Sequence, residues 1–165
     1  MPALAHLGIG FIVKRFYPKI PLWILLISSM LIDILSYILI FAPMWTHHGL
    51  FMGIIWSFIF MLIAIGVINF INSKKNATRY SKKNMIFIGL IIAFVVFSHT
   101  ILDLIGWPMT VILGEEAKGI PLLFNDSQTI GLGVYSTWVG AITMDLGIFI
   151  IGFLIYYQYI NKKKK

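Results

Sequence analysis

Long apolar stretches separated by short polar ones dominate the chain. Four of them are long enough to cross about 30 Å of hydrocarbon, which takes about 20 helical residues: residues 21–41, 49–71, 85–106 and 131–159. Pro21 begins the first stretch, and Pro43 and Pro108 follow the ends of the first and third, where proline stops a helix. The pattern predicts an all-α, polytopic membrane protein with four transmembrane helices.

A further apolar stretch, residues 2–13, is too short to span a bilayer and runs into Lys14 and Arg15. We predict a short N-terminal half-helix that enters the membrane. At a helical rise of about 1.5 Å per residue, His6 lies about 12 Å beyond Lys14, near the middle of the bilayer. Residues 1–165 then form a single integral membrane domain.

The composition supports a membrane protein and limits the kinds of ligand available to a metal ion. The chain is 59% hydrophobic and 12% charged, whereas soluble domains average about 25% charged residues. The absence of cysteine excludes disulfides and thiolate ligands. Any metal must therefore be held by nitrogen and oxygen.

The net charge of +7 comes from basic residues at the ends of the apolar stretches. All of them except Lys118 fall on one side of the predicted bundle. The positive-inside rule makes that side cytoplasmic and leaves residues 43–48 and 107–130 outside, with the C-terminus in the cytoplasm. This distribution is typical of topology signals, so we expect no nucleic-acid partner.

Ionisable residues inside the apolar stretches are the candidate functional residues. His99 and Asp103 are one helical turn apart, so both side chains lie on one helix face. Counting residues places several others in the middle or outer half of the bundle with them, and each buried charge costs at least about 2.5–3.5 kcal/mol. The converging set is His6, Asp33, His47, His99, Asp103 and Asp145.

Several interpretations of these residues are open. His47 and His48 are at a predicted interface, where histidines are commonly solvated. An isolated intramembrane aspartate commonly serves packing or an ion pathway, and His99 with Asp103 alone fits a neutral hydrogen-bonded pair. Because packing does not require the whole set at one depth, its convergence favours a metal site. Imidazole and carboxylate ligands suit zinc, and also manganese or iron.

Five motifs follow one another along nearly the whole chain: Ala5-His-Leu-Gly-Ile-Gly10, Ser28-Ser-Met-Leu-Ile-Asp33, Trp45-Thr-His47, Phe97-Ser-His-Thr-Ile-Leu-Asp103, and Gly131-Leu-Gly-Val-Tyr-Ser-Thr-Trp138 leading to Asp145. In their order and spacing they resemble a family of small bacterial membrane-bound metal-dependent hydrolases. The family is distantly similar, in its metal-binding pattern, to zinc-dependent phospholipase C and related single-strand nucleases. His48 and Asp145 stand where the family usually has a small hydroxyl residue and a glutamate.

The resemblance implies that His6, His47, His99 and Asp103 are metal ligands, and that Asp33 is a ligand or general base. The soluble enzymes have further histidines after the His-x-x-x-Asp motif, and this chain has none. One or two ions, with zinc preferred, are therefore expected. The location implied is a bacterial inner membrane.

The primary hypothesis is a membrane-embedded hydrolase of a phosphoester or another ester of a lipid, which reaches the site through the outer half of the bundle. Metal-activated water would attack, Asp33 would accept its proton, and His48 would contact the leaving group. Two alternatives are a metal or proton-coupled transporter, in which Asp33, Asp103 and Asp145 form a protonatable path, and a catalytically silent membrane partner. The sequence leaves the oligomeric state open.

Overall fold

The computed structural model describes residues 4–38, 49–74, 80–113, 119–123 and 128–164. This part of the chain is mostly helical. The helices are α1 (Leu4–Phe16), α2 (Leu22–Ser29), α3 (Leu31–Ile38), α4 (Leu50–Lys74), α5 (Lys82–Gly106), α6 (Thr110–Leu113) and α7 (Trp138–Lys164). Two short strands, β1 (Ile120–Pro121) and β2 (Thr129–Ile130), pair antiparallel between α6 and α7.

Three helices within the described residues are long and apolar enough to cross a membrane: α4, α5 and α7. Half of the apolar window of α5 is buried (50%), against 11% in α4 and in α7, so α5 is the central helix. The outer surfaces of α4 and α7 expose large apolar side chains such as Phe58 and Ile150. Such surfaces suit contact with lipid and indicate a membrane protein.

The first predicted span, residues 21–41, is not one continuous helix. It forms α2 and α3, which are separated at Met30, and residues 39–48 lie outside the described part of the chain. The Ser29 hydroxyl donates a 2.8 Å hydrogen bond to the Leu26 carbonyl, a local bond of the kind that bends helices. The predicted fourth crossing is therefore not confirmed.

The N-terminal segment is helical and extends to Phe16; its predicted entry into the membrane as a half-helix stays a prediction. α1 runs parallel to α7: the backbone of Gly8 packs on that of Gly152, Phe11 contacts Phe153, and the Arg15 guanidinium lies 5.7 Å from the centre of the Tyr159 ring. Glycine on both helices allows this close approach, a common device in membrane bundles.

α4 and α5 form an antiparallel pair. Gly53 of α4 packs directly against Thr100 of α5. Farther along, Gly89 of α5 lies against Ile65 and Met61 of α4. The Ser81 hydroxyl accepts a hydrogen bond from the Asn84 amide at 3.3 Å and caps the start of α5.

These directions bring the basic residues of the described chain to one end, which we call the basic end. The Tyr17 and Phe87 rings are in edge contact, with centroids 5.6 Å apart, so the end of α1 meets the start of α5. Burial lowers the pKa of Lys14, and the positive charge of Lys163 lowers it further. The clustering predicted from the sequence is thus present in the fold.

The opposite end of the bundle is covered by residues 107–113, 119–123 and 128–137, which we call the cap. Leu132 N–H donates a hydrogen bond to the Leu104 carbonyl of α5 at 2.9 Å, and Gly133 N–H donates one to the carbonyl of Trp107, the residue directly after α5, at 2.8 Å. Gly133 has a φ of 70°, which favours glycine. Because this segment folds back on α5, α7 begins at Trp138 rather than at Gly131, where the sequence placed its start.

Candidate metal centre

His99 and Asp103 lie on the buried face of the central helix. His99 is fully buried and Asp103 is 5% exposed. Their side chains meet as the one-turn spacing predicts: His99 Nε2 lies 3.4 Å from Asp103 Oδ2. The pair is about 10 Å or less along the axis from Gly106, the last residue of α5, and so lies nearer the cap than the basic end.

α1 adds a second histidine. The His6 ring stacks on the His99 ring, with centroids 3.8 Å apart and planes 10° apart. His6 Nε2 lies 3.7 Å from Asp103 Oδ1, and His6 is buried like its neighbours. The Gly8–Gly152 contact holds α1 against α7. This packing of α1 on α7 places His6 next to Asp103 of α5.

α3 contributes Asp33. Its Oδ1 lies 3.6 Å from His99 Nε2, and its side chain is buried. The helix break at Met30 matters here, because it follows directly after Ser29, whose carbonyl oxygen lies 2.9 Å from His99 Nδ1. A carbonyl only accepts, so His99 Nδ1 donates this bond.

The bond to Ser29 sets the chemistry of His99. With the proton on Nδ1, the neutral form of the ring would present the lone pair of Nε2 towards Asp33 and Asp103. Histidines that bind metals usually donate their other ring N–H to a carbonyl or carboxylate in this way. The arrangement therefore prepares His99 as a ligand through Nε2.

The spacing of the donor atoms suits a metal ion. One ligand atom each from His6, His99 and Asp103 lie within 4.8 Å of one another. The nitrogen–oxygen distances of 3.4–3.7 Å exceed charge-assisted hydrogen bonds of about 2.7–2.9 Å. They are close to the roughly 3.4 Å between ligand atoms around a tetrahedral ion with bonds of about 2.0–2.1 Å. The buried His6–His99–Asp103 group could therefore hold a metal ion.

Charge balance points the same way. Asp33 and Asp103 bring two carboxylates into an apolar interior, where uncompensated charges are strongly unfavourable. A divalent cation between them and the imidazoles would neutralise both. Without such a cation, both His99 and His6 would have to be protonated to neutralise the two carboxylates.

Asp145 contacts the start of α1, next to His6. Its Oδ1 accepts a 2.8 Å hydrogen bond from the Ala5 amide at the start of α1. A carboxylate there satisfies a free amide of the helix N-terminus and interacts favourably with the helix dipole. Asp145 is not part of the His6–His99–Asp103 group but holds the helix that carries His6.

The predicted residues from the segment before α4 cannot be placed in this geometry. His47 and His48, predicted respectively as a metal ligand and a leaving-group contact, lie outside the described residues. Their roles stay predictions.

Tyr135 is a residue near the site to which sequence reasoning gave no role. It is 2% exposed and belongs to the apolar core of the cap. Burial raises the pKa of its hydroxyl, and the charges of Asp145 and Asp103 raise it further. The only sequence signal was its place in the Gly131–Trp138 motif, since a tyrosine in an aromatic-rich loop is not distinctive.

Comparison of the chain with family models, curated proteins and solved structures gives no match. The fold and the site by themselves define a class: a helical protein whose described residues include three helices long and apolar enough to cross a membrane, with a buried histidine–aspartate group that could hold a metal ion.

Proposed function

We propose that this chain is a membrane-embedded, metal-dependent hydrolase that acts on a phosphoester or other ester of a lipid-like substrate. The observation that carries the proposal is the buried His6–His99–Asp103 group, with Asp33 at 3.6 Å from His99 Nε2. Three protein ligands with a nearby carboxylate are typical of catalytic zinc sites, which keep a position for water or substrate.

Zinc is the metal proposed, because the donors are imidazole and carboxylate and their number is small. One ion fits the described group. A second would need further ligands, and His47 from the segment before α4 is the candidate that the sequence offers.

A bound divalent metal would lower the pKa of a coordinated water towards about 7 and polarise the ester oxygen. Within the chain, His99 holds its Nε2 in place through the Ser29 carbonyl, and His6 and Asp103 complete the ligand group. Asp33 accepts the proton of the attacking water. His48 contacts the leaving group, and Asp145 holds α1 in position.

The surroundings of the site favour a lipid-like substrate. The group lies inside a bundle whose outer surfaces are apolar, near the cap end of α5. A lipid can reach such a bundle directly from the bilayer. We therefore expect the substrate to carry an apolar chain.

The proposed topology has α2 and α3 together as a fourth crossing and α1 as a half-helix. The basic end faces the cytoplasm of a bacterium, in keeping with the positive-inside rule, and the cap faces outward. The two short helices with the break between them span about 25 Å at the helical rise of about 1.5 Å per residue.

The test is metal analysis of detergent-purified protein, followed by assay of phospholipids and lipid esters. We expect stoichiometric zinc in the wild type, none in His99→Ala, and wild-type content in the control Ser57→Ala, which alters a buried hydroxyl of α4 bonded only to the Gly53 carbonyl within the described chain. Zinc in the wild type without turnover of any lipid would reject the hydrolase but keep the metal site. Absence of metal from the wild type after zinc loading would reject both.

One observation favours a second candidate, a transporter. The helix break at Met30 lies beside Asp33, and broken helices beside ion-binding residues are typical of secondary transporters. Zinc uptake into proteoliposomes that disappears in Asp103→Ala would support transport. Lipid turnover without zinc flux would support the hydrolase.

A further inference from the structure

Tyr135 covers the end of the helix face that carries the metal-site residues. His99, Asp103 and Gly106 are spaced by one turn each, so they form one line along α5. The Tyr135 ring packs directly on Gly106, where a Cβ atom would collide with the ring. The glycine thus lets the phenol lie immediately beyond Asp103 on the cap side of the site.

The hydroxyl of Tyr135 is buried and makes no hydrogen bond to any residue that the structure describes. Leaving a buried polar group without a partner is unfavourable, so such a group commonly serves a ligand or ordered water. Asp103 and Asp145 are close enough for their charges to act on the phenol, and burial together with these charges keeps it protonated. Tyr135 is therefore a hydrogen-bond donor and not a phenolate ligand.

We propose that the Tyr135 hydroxyl donates a hydrogen bond to an anionic phosphoryl oxygen of the ligand held at the His6–His99–Asp103 site. This inference rests on the proposed function and narrows it from esters in general to phosphoesters. A phosphoester presents charged acceptor oxygens already in its ground state, whereas a carboxylic ester presents only a weak neutral carbonyl. A buried donor beside the site would bind the charged oxygens of a phosphoester more tightly than the neutral carbonyl of a carboxylic ester.

The test uses the full-length protein in detergent, loaded with Co²⁺, whose visible absorption reports on its ligands. Inorganic phosphate is titrated into the wild type, Tyr135→Phe and the control Tyr17→Phe. Tyr135→Phe keeps the ring against Gly106 and removes only the hydroxyl, and Tyr17 lies at the basic end. We expect unchanged Co²⁺ affinity in both variants, and phosphate affinity weaker by about tenfold or more in Tyr135→Phe alone, the usual effect of a hydrogen bond to a charged group.

The outcomes separate the two proposals. A wild type that gives no cobalt spectrum overturns the metal site and this inference with it. A normal cobalt spectrum with no response to phosphate in the wild type, or with equal phosphate affinity in Tyr135→Phe, overturns only the role of Tyr135; equal affinity would mean that the hydroxyl serves a buried water. Loss of Co²⁺ itself in folded Tyr135→Phe also overturns it, because the hydroxyl would then support the protein ligands.

Discussion

The imidazole rings of His6 and His99 stack face to face, with centroids 3.8 Å apart and planes 10° apart. The two residues come from α1 and α5, and both approach Asp103 through their Nε2 atoms. A pair of stacked imidazoles beside two buried carboxylates is an arrangement that a cation stabilises. This contact connects the position of α1 to the capacity of the site to hold a metal.

The stack allows a substitution that keeps packing and removes coordination. His6→Phe retains an aromatic ring against His99 but has no nitrogen ligand. We expect the protein to remain folded, with zinc affinity lower by at least about 100-fold, since loss of outer-sphere partners alone typically costs 10–100-fold. Competition with a zinc chelator measures the affinity, and circular dichroism monitors the fold. Wild-type zinc affinity in folded His6→Phe would exclude His6 as a ligand.

Asp33 is predicted to act in proton transfer more than in metal binding. Its carboxylate lies 3.6 Å from His99 Nε2 but is outside the group of three. Asp33→Asn keeps the shape and removes the base, so kcat should fall by about 10²–10⁴-fold with zinc content near that of the wild type. Turnover is measured on the phospholipid or lipid ester that the wild type hydrolyses. Full turnover with unchanged zinc would rule out the general-base role, and zinc loss would make Asp33 a ligand.

Substitution of Asp145 distinguishes a metal ligand from a carboxylate that only binds the N-terminal amide of α1. Asp145→Asn retains an oxygen to accept the Ala5 amide, whereas Asp145→Ala does not. We expect the alanine variant to lose about 0.5–2 kcal/mol of unfolding free energy, as for other lost caps, and the asparagine variant to lose less. Both should still bind zinc, with weaker binding in the alanine variant because α1 carries His6. Complete zinc loss in both variants would instead identify Asp145 as a ligand.

The contact of α1 with α7 should affect zinc binding indirectly, through the position of His6. A Cβ at Gly8 would lie 2.5 Å from the Ile148 carbonyl oxygen, against backbone that cannot move aside easily. Gly8→Ala should therefore destabilise the protein by about 1–3 kcal/mol, the usual range for overpacking, and weaken zinc binding by moving His6.

Gly147→Ala, on α7, is the matched control, because nothing lies within 4 Å of its added Cβ. It should leave zinc binding unchanged and be neutral or stabilising, as alanine favours a helix over glycine by about 1 kcal/mol. Thermal unfolding and zinc titration of both variants give the comparison. Equal zinc affinity in Gly8→Ala and the wild type would show that the α1–α7 contact does not set the position of His6.

The sequence by itself determined the spanning helices α4, α5 and α7, because long apolar stretches have few alternatives once they meet hydrocarbon. It also determined that His99 and Asp103 share a helix face, since helical periodicity is local, and it grouped the basic residues at one end. It set the boundary of α7 wrongly at Gly131, because apolar character does not distinguish a cap segment folded on α5 from a helical turn.

Only the tertiary structure decided which distant residues meet. Depth counting placed His6, Asp33 and Asp145 at similar heights, but height does not determine rotation about a helix axis. The Gly8–Gly152 contact turns His6 towards Asp103, the break at Met30 presents the Ser29 carbonyl to His99, and Asp145 bonds to the start of α1. These relationships depend on packing between elements far apart in sequence, and hydrophobic periodicity carries no information about them.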